Sequence, residues 1–160
     1  MSVDAEELRL AMRNWATGVC VVTVALDSIR HGMTVNTFTS LSLDPPLVLV
    51  SLERVTKTHQ LLSQTGCFAV TVLRNSQQEI SDRFAGRLAD EDDRFTGLQT
   101  FTLVSGAPFL SGGLSFFDCQ VVATYPAGTH TVYIGNVLAV STGKSGRPLL
   151  YFRRDYRKLC

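Results

Sequence analysis

The sequence predicts a mainly β fold, an antiparallel barrel with short helices at its periphery. Three observations point there. About eight runs of strand length, rich in β-branched and aromatic residues, are spread along the chain. Most are joined by hairpin turns or short loops, which favours antiparallel pairing. A sheet of that many strands must close or be covered to remove its edges.

Taken in order, Asp4 followed by Glu7 reads as a capping box opening a helix. Leu8, Met12 and Trp15 continue at helical spacing until Thr17-Gly18 stops it. Residues 19–25 are β-branched and read as a strand; Asp27-Ser28 turns it, and residues 30–36 return as the second arm of a hairpin. A polar loop then runs to Pro45-Pro46, which cannot donate to a ladder. Residues 47–52 are apolar on both faces, as a central strand would be. Thr56-Lys57-Thr58 opens a short helix through Leu61 and Leu62 that ends at Gly66, and residues 67–73 form the next strand. Ser76 with Glu79 forms a second capping box, and Ile80 and Phe84 give that helix one apolar side. Residues 89–94 are an acidic, solvated loop.

The second half carries a short strand at 100–104 and a long one at 114–125, with Phe117, Cys119, Val121 and Ala123 alternating onto one face. Pro126-Ala127-Gly128 is a tight turn from which residues 130–141 pair back. Gly143-Lys144-Ser145-Gly146 turns again into a last strand, 149–152.

Composition excludes several classes of function. The 160 residues suit one domain with a sizeable core; 45% are apolar and 18% charged, so the chain is globular. A formal charge of +1 gives no electrostatic footprint for nucleic acid or anionic membrane. No apolar run approaches the ~20 residues that span a bilayer, and the acidic residues 1–13 do not read as a secretory leader. Cys20, Cys67 and Cys119 lie in apolar runs, Cys160 is terminal, and no Cys-x-x-Cys occurs. His31, His59 and His130 have no companion at zinc-ligand spacing. Together these predict a reduced cytoplasmic protein without a structural metal.

Recognisable catalytic motifs are also missing. No Gly-x-Gly-x-x-Gly, P-loop or Gly-x-Ser-x-Gly elbow is present. The cluster Asp90-Glu91-Asp92-Asp93 lacks the glycine and spacing of a calcium loop. With no nucleophile–base pair in view, an enzyme of this sequence would rely on a bound cofactor for its chemistry. The informative segment is His31 to Pro46, where Thr34, Asn36, Thr37, Thr39, Ser40 and Ser42 supply uncharged donors and acceptors. Such residues can border a polar, planar ligand. The same composition would serve a solvated loop.

Four segments in consistent order carry a resemblance: Gly18-Val19-Cys20-Val21-Val22-Thr23, His31-Gly32-Met33-Thr34-Val35-Asn36-Thr37-Phe38, Ser40-Leu41-Ser42-Leu43-Asp44-Pro45-Pro46 and Ala127-Gly128-Thr129-His130. From Leu10 to about Tyr156 the chain resembles the short-chain flavin reductases, the small components of two-component flavin monooxygenases. The resemblance implies an FMN-binding split β-barrel over 1–160, a homodimer, FMN or FAD as flavin, NADH or NADPH as reductant, and an oxygenase component as partner. It implies that Met33, Thr34, Val35, Asn36 and Thr37 border the flavin ring. Ser40, Leu41 and Ser42 would continue toward the ribityl chain and phosphate. Ser51, Leu52, Lys57 and Thr58 match the family's phosphate-side segment, and a helix start with a lysine suits a phosphate. Phe84, Ala85, Gly86 and Arg87 match a further flavin-contacting segment, and Tyr151 and Tyr156 lie where the C-terminal part can cover the cofactor. His130 matches the histidine of the family's Gly-Asp-His motif, associated with the nicotinamide, with Thr129 standing where the motif has Asp. A flavin carrier without reductase activity is the alternative on the same barrel. A pyridoxamine-phosphate type oxidase would call for more basic residues around its phosphate.

Overall fold

The computed structural model describes residues 3–87 and 93–159, and among these described residues it has three helices and twelve strands. In chain order the first elements are α1 (Ala5–Met12), β1 (Thr17–Gly18), β2 (Cys20–Leu26), β3 (Ile29–Val35), β4 (Thr39–Leu43) and β5 (Pro46–Glu53). Then come α2 (Lys57–Thr65), β6 (Cys67–Val72), α3 (Gln78–Phe84), β7 (Thr100–Phe101) and β8 (Phe109–Leu110). The chain finishes with β9 (Ser115–Ala127), β10 (His130–Thr142), β11 (Leu150–Phe152) and β12 (Asp155–Arg157). The main sheet has seven strands in the order β3-β2-β6-β9-β10-β5-β4, all neighbours antiparallel. A three-stranded sheet, β1-β11-β12, and the β7-β8 pair flank it.

The core divides across β2 and β6. Cys20, Val22 and Val24 point with Phe68 and Val70 into a main cluster with Val50, Leu52, Leu61, Leu62 and Tyr133. Val19 and Val21 point the other way, to Leu73, Phe84, Phe95, Leu110 and Leu149. The strands buried on both faces are therefore β2 and β6. β5, read from its apolar run as central, is second from the edge and buries only alternate residues. Its apolar run, broken only by Ser51, serves one core face and one half-exposed face.

Other departures have local causes. The segment 39–43, expected within a loop, is the edge strand β4, and a register shift between Ser40 and Ser42 bulges it. α1 forms the expected capping box at Asp4 and Glu7 but stops at Met12, leaving Trp15 outside it; Thr17–Gly18 is a short strand paired with β11. Ser76 caps nothing. Gln77 holds the N-cap of α3, its Oε1 accepting from the Arg74 N–H at 2.9 Å while its Nε2 donates to Ser111 O. The strand expected at 100–104 shortens to β7, and β8 and β12 carried too few residues to read as strands. Of the expected acidic loop, residues 89–92 lie outside the described residues, as does Cys160.

One glycine sets how α3 docks on β3. A Cβ on Gly32 would lie 2.9 Å from Phe84 Cε1 and 3.0 Å from Thr23 Cγ2. Its absence lets the Phe84 ring, packed edge-on to Phe95, lie against the strand. Arg94 then fastens the pair, donating to Gly32 O at 3.1 Å and to Phe84 O at 3.0 Å.

Candidate functional site

Where the end of β3, α3 and the β11–β12 hairpin meet, a cavity of about 160 Å³ opens to solvent. Val19, Thr34, Val35, Asn36, Ser81, Ala85, Arg87, Tyr151 and Tyr156 line it. Seven of these are residues singled out from the sequence: Thr34, Val35, Asn36, Ala85, Arg87, Tyr151 and Tyr156. They come from three places in the chain, and the docking of Phe84 on Gly32 brings the first two together.

A hydrogen-bond network holds this wall. Tyr156 donates to Asp82 Oδ1 at 3.0 Å and meets Ser81 Oγ at 2.7 Å. Arg87 donates to the same Asp82 oxygen at 3.0 Å, and its guanidinium lies 5.9 and 5.8 Å from the Tyr151 and Tyr156 ring centres. Thr34 donates to Ser81 O at 2.7 Å, so it offers a ligand its backbone and methyl group rather than its hydroxyl. Burial, aided by Asp82, pushes the Tyr156 phenol above its ordinary range, so it stays protonated near neutrality. Arg87 stays cationic at any working pH. The exposed amide of Asn36 is the uncommitted polar group at the mouth.

Gly86 adopts φ +69° just after α3, a conformation that favours glycine, and this ends the helix and frees Arg87. Phe84 is itself buried in the core. Met33 packs against the main core, and Leu52 lies wholly inside it.

The remaining candidates lie along β4, β5 and the β9–β10 hairpin. Thr37 ties the segment after β3 to β5: its hydroxyl donates to Ser51 O at 3.0 Å and accepts from Ser51 N at 3.2 Å. Ser40, Leu41 and Ser42 sit on β4 at its bulge. His130 pairs in register with Glu53, its Nδ1 2.9 Å from Thr129 Oγ1. Lys57 is the first residue of α2, whose first turn holds no acidic side chain. Thr58 is different: it is wholly buried and bonded to His31 Nδ1 at 2.8 Å, so it offers no hydroxyl to a ligand. Burial, with Arg94 and Lys57 nearby, pushes His31 down to about 4, so its imidazole is neutral.

Three contributors escaped the sequence reading. Ser81 and Asp82 stand four and three residues before Ala85, one helical turn away, and that spacing was the available signal. Arg54 donates to the carbonyls of Gly128 and His130 and fastens the β9–β10 turn; nothing in its sequence context marks it.

The described cysteines offer no nucleophile. Cys20, Cys67 and Cys119 are unpaired, and burial pushes the Cys20 and Cys119 thiols up to about 12. Among the described residues no group of His, Cys, Asp or Glu is placed to hold a metal ion, and no helix is long and apolar enough to cross a membrane.

A wall of this kind, with fixed donors, a fixed cation and aromatic cover, has the chemistry that suits a planar, polar-edged ligand. Residues 12–160 match the flavin reductase like domain family, and the chain belongs to it. It is 41% identical over 156 residues to an NADH-dependent flavin reductase of Rhodococcus sp, covering 95% of this chain and 85% of that one. It is 36% identical to the reductase component of 4-hydroxyphenylacetate 3-monooxygenase of Thermus thermophilus, covering 96% of each. Among solved structures, flavin reductase PheA2 superposes with a TM-score of 0.90 at 38% identity, covering 99% of both chains. The Streptomyces globisporus NADH:FAD oxidoreductase SgcE6, in complex with NAD and FAD fragments, gives 0.90 at 32% identity, covering 100% of this chain and 97% of that one.

Proposed function

We propose that this chain is an NADH-dependent flavin reductase that supplies reduced FMN or FAD to a partner monooxygenase. The observation that carries this reading is the cavity at β3, where seven family-matched residues converge and the ionisable Tyr156 and Arg87 hold fixed protonation states near neutrality. That suits a reaction in which the protein positions two rings and moves no proton of its own. With both ligands bound, the nicotinamide C4 supplies a hydride to flavin N5.

The chain's residues supply binding and charge stabilisation. β3 is an edge strand, so alternate backbone groups are left for the ring's polar edge. Asn36 offers an uncharged amide where charge develops on reduction, and Arg87 a cation. The opening turn of α2 and Lys57 receive the flavin phosphate. His130 faces the nicotinamide, with Thr129 as a neutral partner for its Nδ1. An NADPH-using variant of the reaction falls within the same geometry.

The same reading makes residues 1–160 one domain with the split-barrel form of its family, working in the cytoplasm with reduced cysteines. It also makes the protein a homodimer. The exposed Val122, Tyr125, Leu138 and Val140 on β9 and β10 supply an apolar surface for a second copy.

The test is oxidation of NADH by the purified protein with FMN, FAD or riboflavin added. Oxidation that depends on added flavin and saturates with it is expected. Retained flavin with no NADH oxidation would make the protein a carrier and overturn the reductase reading.

A further inference from the structure

The N-terminal end of α3, away from the ring cavity, borders another cavity of about 390 Å³. Arg74, Lys144, Phe101 and Phe116 line it, with the backbone of Gly112 and Gly143 between them. None of its lining residues is shared with the ring cavity. Its volume lies at the lower end of cavities that hold small organic ligands.

The charge in this cavity has one sign. Neither Arg74 nor Lys144 forms an ion pair with a described carboxylate. A single hydrogen bond holds the Arg74 guanidinium, its Nη2 donating to Lys144 O at 2.7 Å. Arg74 Nε is buried with no partner among the described residues. Most of the fork of N–H donors is therefore uncommitted, and a buried donor left unpaired marks a guanidinium short of acceptors. Asp118, two residues from Phe116 on β9, does not supply them. Its Oδ2 accepts from the amides of Val104 and Ser105, and it does not line the cavity.

An aromatic floor accompanies the cations. Phe101 is half-buried, its ring centre 4.9 Å from that of Phe116 in an edge-on pair and 5.2 Å from that of Phe109 in a stacked one. The walls are held before any ligand arrives. Gln77 accepts from the Arg74 N–H at 2.9 Å and donates to Ser111 O at 3.1 Å, tying the two sides together. Arg74 also bridges to Pro148. A cavity fixed in this way loses little ordering entropy on binding.

We infer that this cavity is a binding site for a small aromatic carboxylate. Arg74 and Lys144 take the carboxylate by charge-assisted hydrogen bonds, and the ring packs on Phe101. The site lies apart from every residue assigned to the flavin or the nicotinamide cofactor, and it stands whether or not the chain is a reductase.

The probe is benzoate, added to the whole chain while backbone amide shifts are followed by NMR. Saturable shifts at Gly112 and Gly143 are expected, with much smaller ones at Asn36 and Arg87. Excess FMN is expected to leave them in place. Benzamide lacks the charge and cyclohexanecarboxylate lacks the aromatic ring, so each should bind more weakly. Lys144→Gln alters an exposed side chain and is expected to keep the melting temperature while weakening benzoate several-fold. Arg74→Gln should weaken it about tenfold, the loss of a charge-assisted contact. Should Arg74→Gln not fold, Lys144→Gln decides alone.

The inference is overturned if benzoate leaves Gly112 and Gly143 unmoved, if FMN reverses their shifts, or if the folded variants bind benzoate as wild type does. Shifts that follow protein concentration and ignore benzoate would make the cavity a subunit contact and overturn it as well. NADH oxidation with FMN is measured in parallel. Its absence removes the reductase reading and leaves this site standing, whereas its presence with unmoved Gly112 and Gly143 removes only this site.

Discussion

The two sides of the candidate site are built differently. On the α3 side, Tyr156, Ser81, Asp82, Arg87 and Thr34 are bonded to one another, and Phe84 beneath them is locked against Gly32. On the α2 side, Lys57 begins a helix with no acid in its first turn, and the His130 ring bonds its neighbour Thr129 while its carbonyl accepts from Arg54. A clamped wall has its ordering entropy spent before a ligand arrives, so it can fix a ring in one pose. An open wall with uncommitted cations can accept ligands that come and go. A protein that must bind two partners in turn and release one of them has use for both.

Disrupting the clamped wall at its base is expected to have the largest effect. Gly32→Ala forces a methyl group against Phe84 and Thr23, and overpacking of this kind costs about 1–3 kcal/mol. A fall in melting temperature together with weaker flavin binding is expected. A variant that lost neither would show that α3 docking is not set by this contact. Next comes Asp82→Ala, which removes the acceptor shared by Tyr156 and Arg87. About a tenfold rise in the KM for flavin is expected from the freed Arg87 and Tyr156. The loss should exceed that of any single substitution on the open side; equal losses would erase the contrast.

Smaller effects separate the two walls further. Asn36→Ala is expected to lower kcat/KM for flavin several-fold without changing the melting temperature, since the amide is exposed. Lys57→Ala should weaken flavin phosphate binding by a similar or smaller factor, and the difference from wild type should shrink at high salt. The smallest effect is on pH. His31, bonded to Thr58 under α2 and next to Gly32 under α3, is held neutral with its pKa at about 4. Between the ordinary histidine value near 6.5 and about 4, the unfolded chain takes up a proton that the folded chain does not. Stability should therefore fall by about 1 kcal/mol as pH drops through that window, allowing for partial solvent screening. His31→Gln should flatten that part of the stability profile in denaturant titrations, and an unchanged slope would move the cause elsewhere.

Much of this architecture is local and was legible in the chain. The Asp4 capping box, the helix from Thr56 to Gly66, the hairpin at Asp27-Ser28 and the turn read at Pro126-Ala127-Gly128, which the structure narrows to Gly128-Thr129, each depend on residues a few positions apart. The segment Thr34 to Asn36 and the pair Ala85 and Arg87 were visible because their order along the chain matches a family. What escaped depends on contacts across long separations. Leu47 to Leu52 looks central because it carries apolar residues on both faces, but a strand's rank in a sheet is decided by its partners, and β10 and β4 leave β5 next to an edge. Thr58 looked like a ligand hydroxyl until His31, 27 positions away, took it. Asp82 went unread until Tyr156, 74 positions on, placed a phenol beside it. Sequence by itself determined the element types and the set of polar residues offered to a ligand, because capping, turns and periodicity are short-range. Only the tertiary structure decided which of those residues share one cavity and which are consumed by the core, because a hydrogen bond made to a distant side chain leaves no trace in the residue's own neighbourhood.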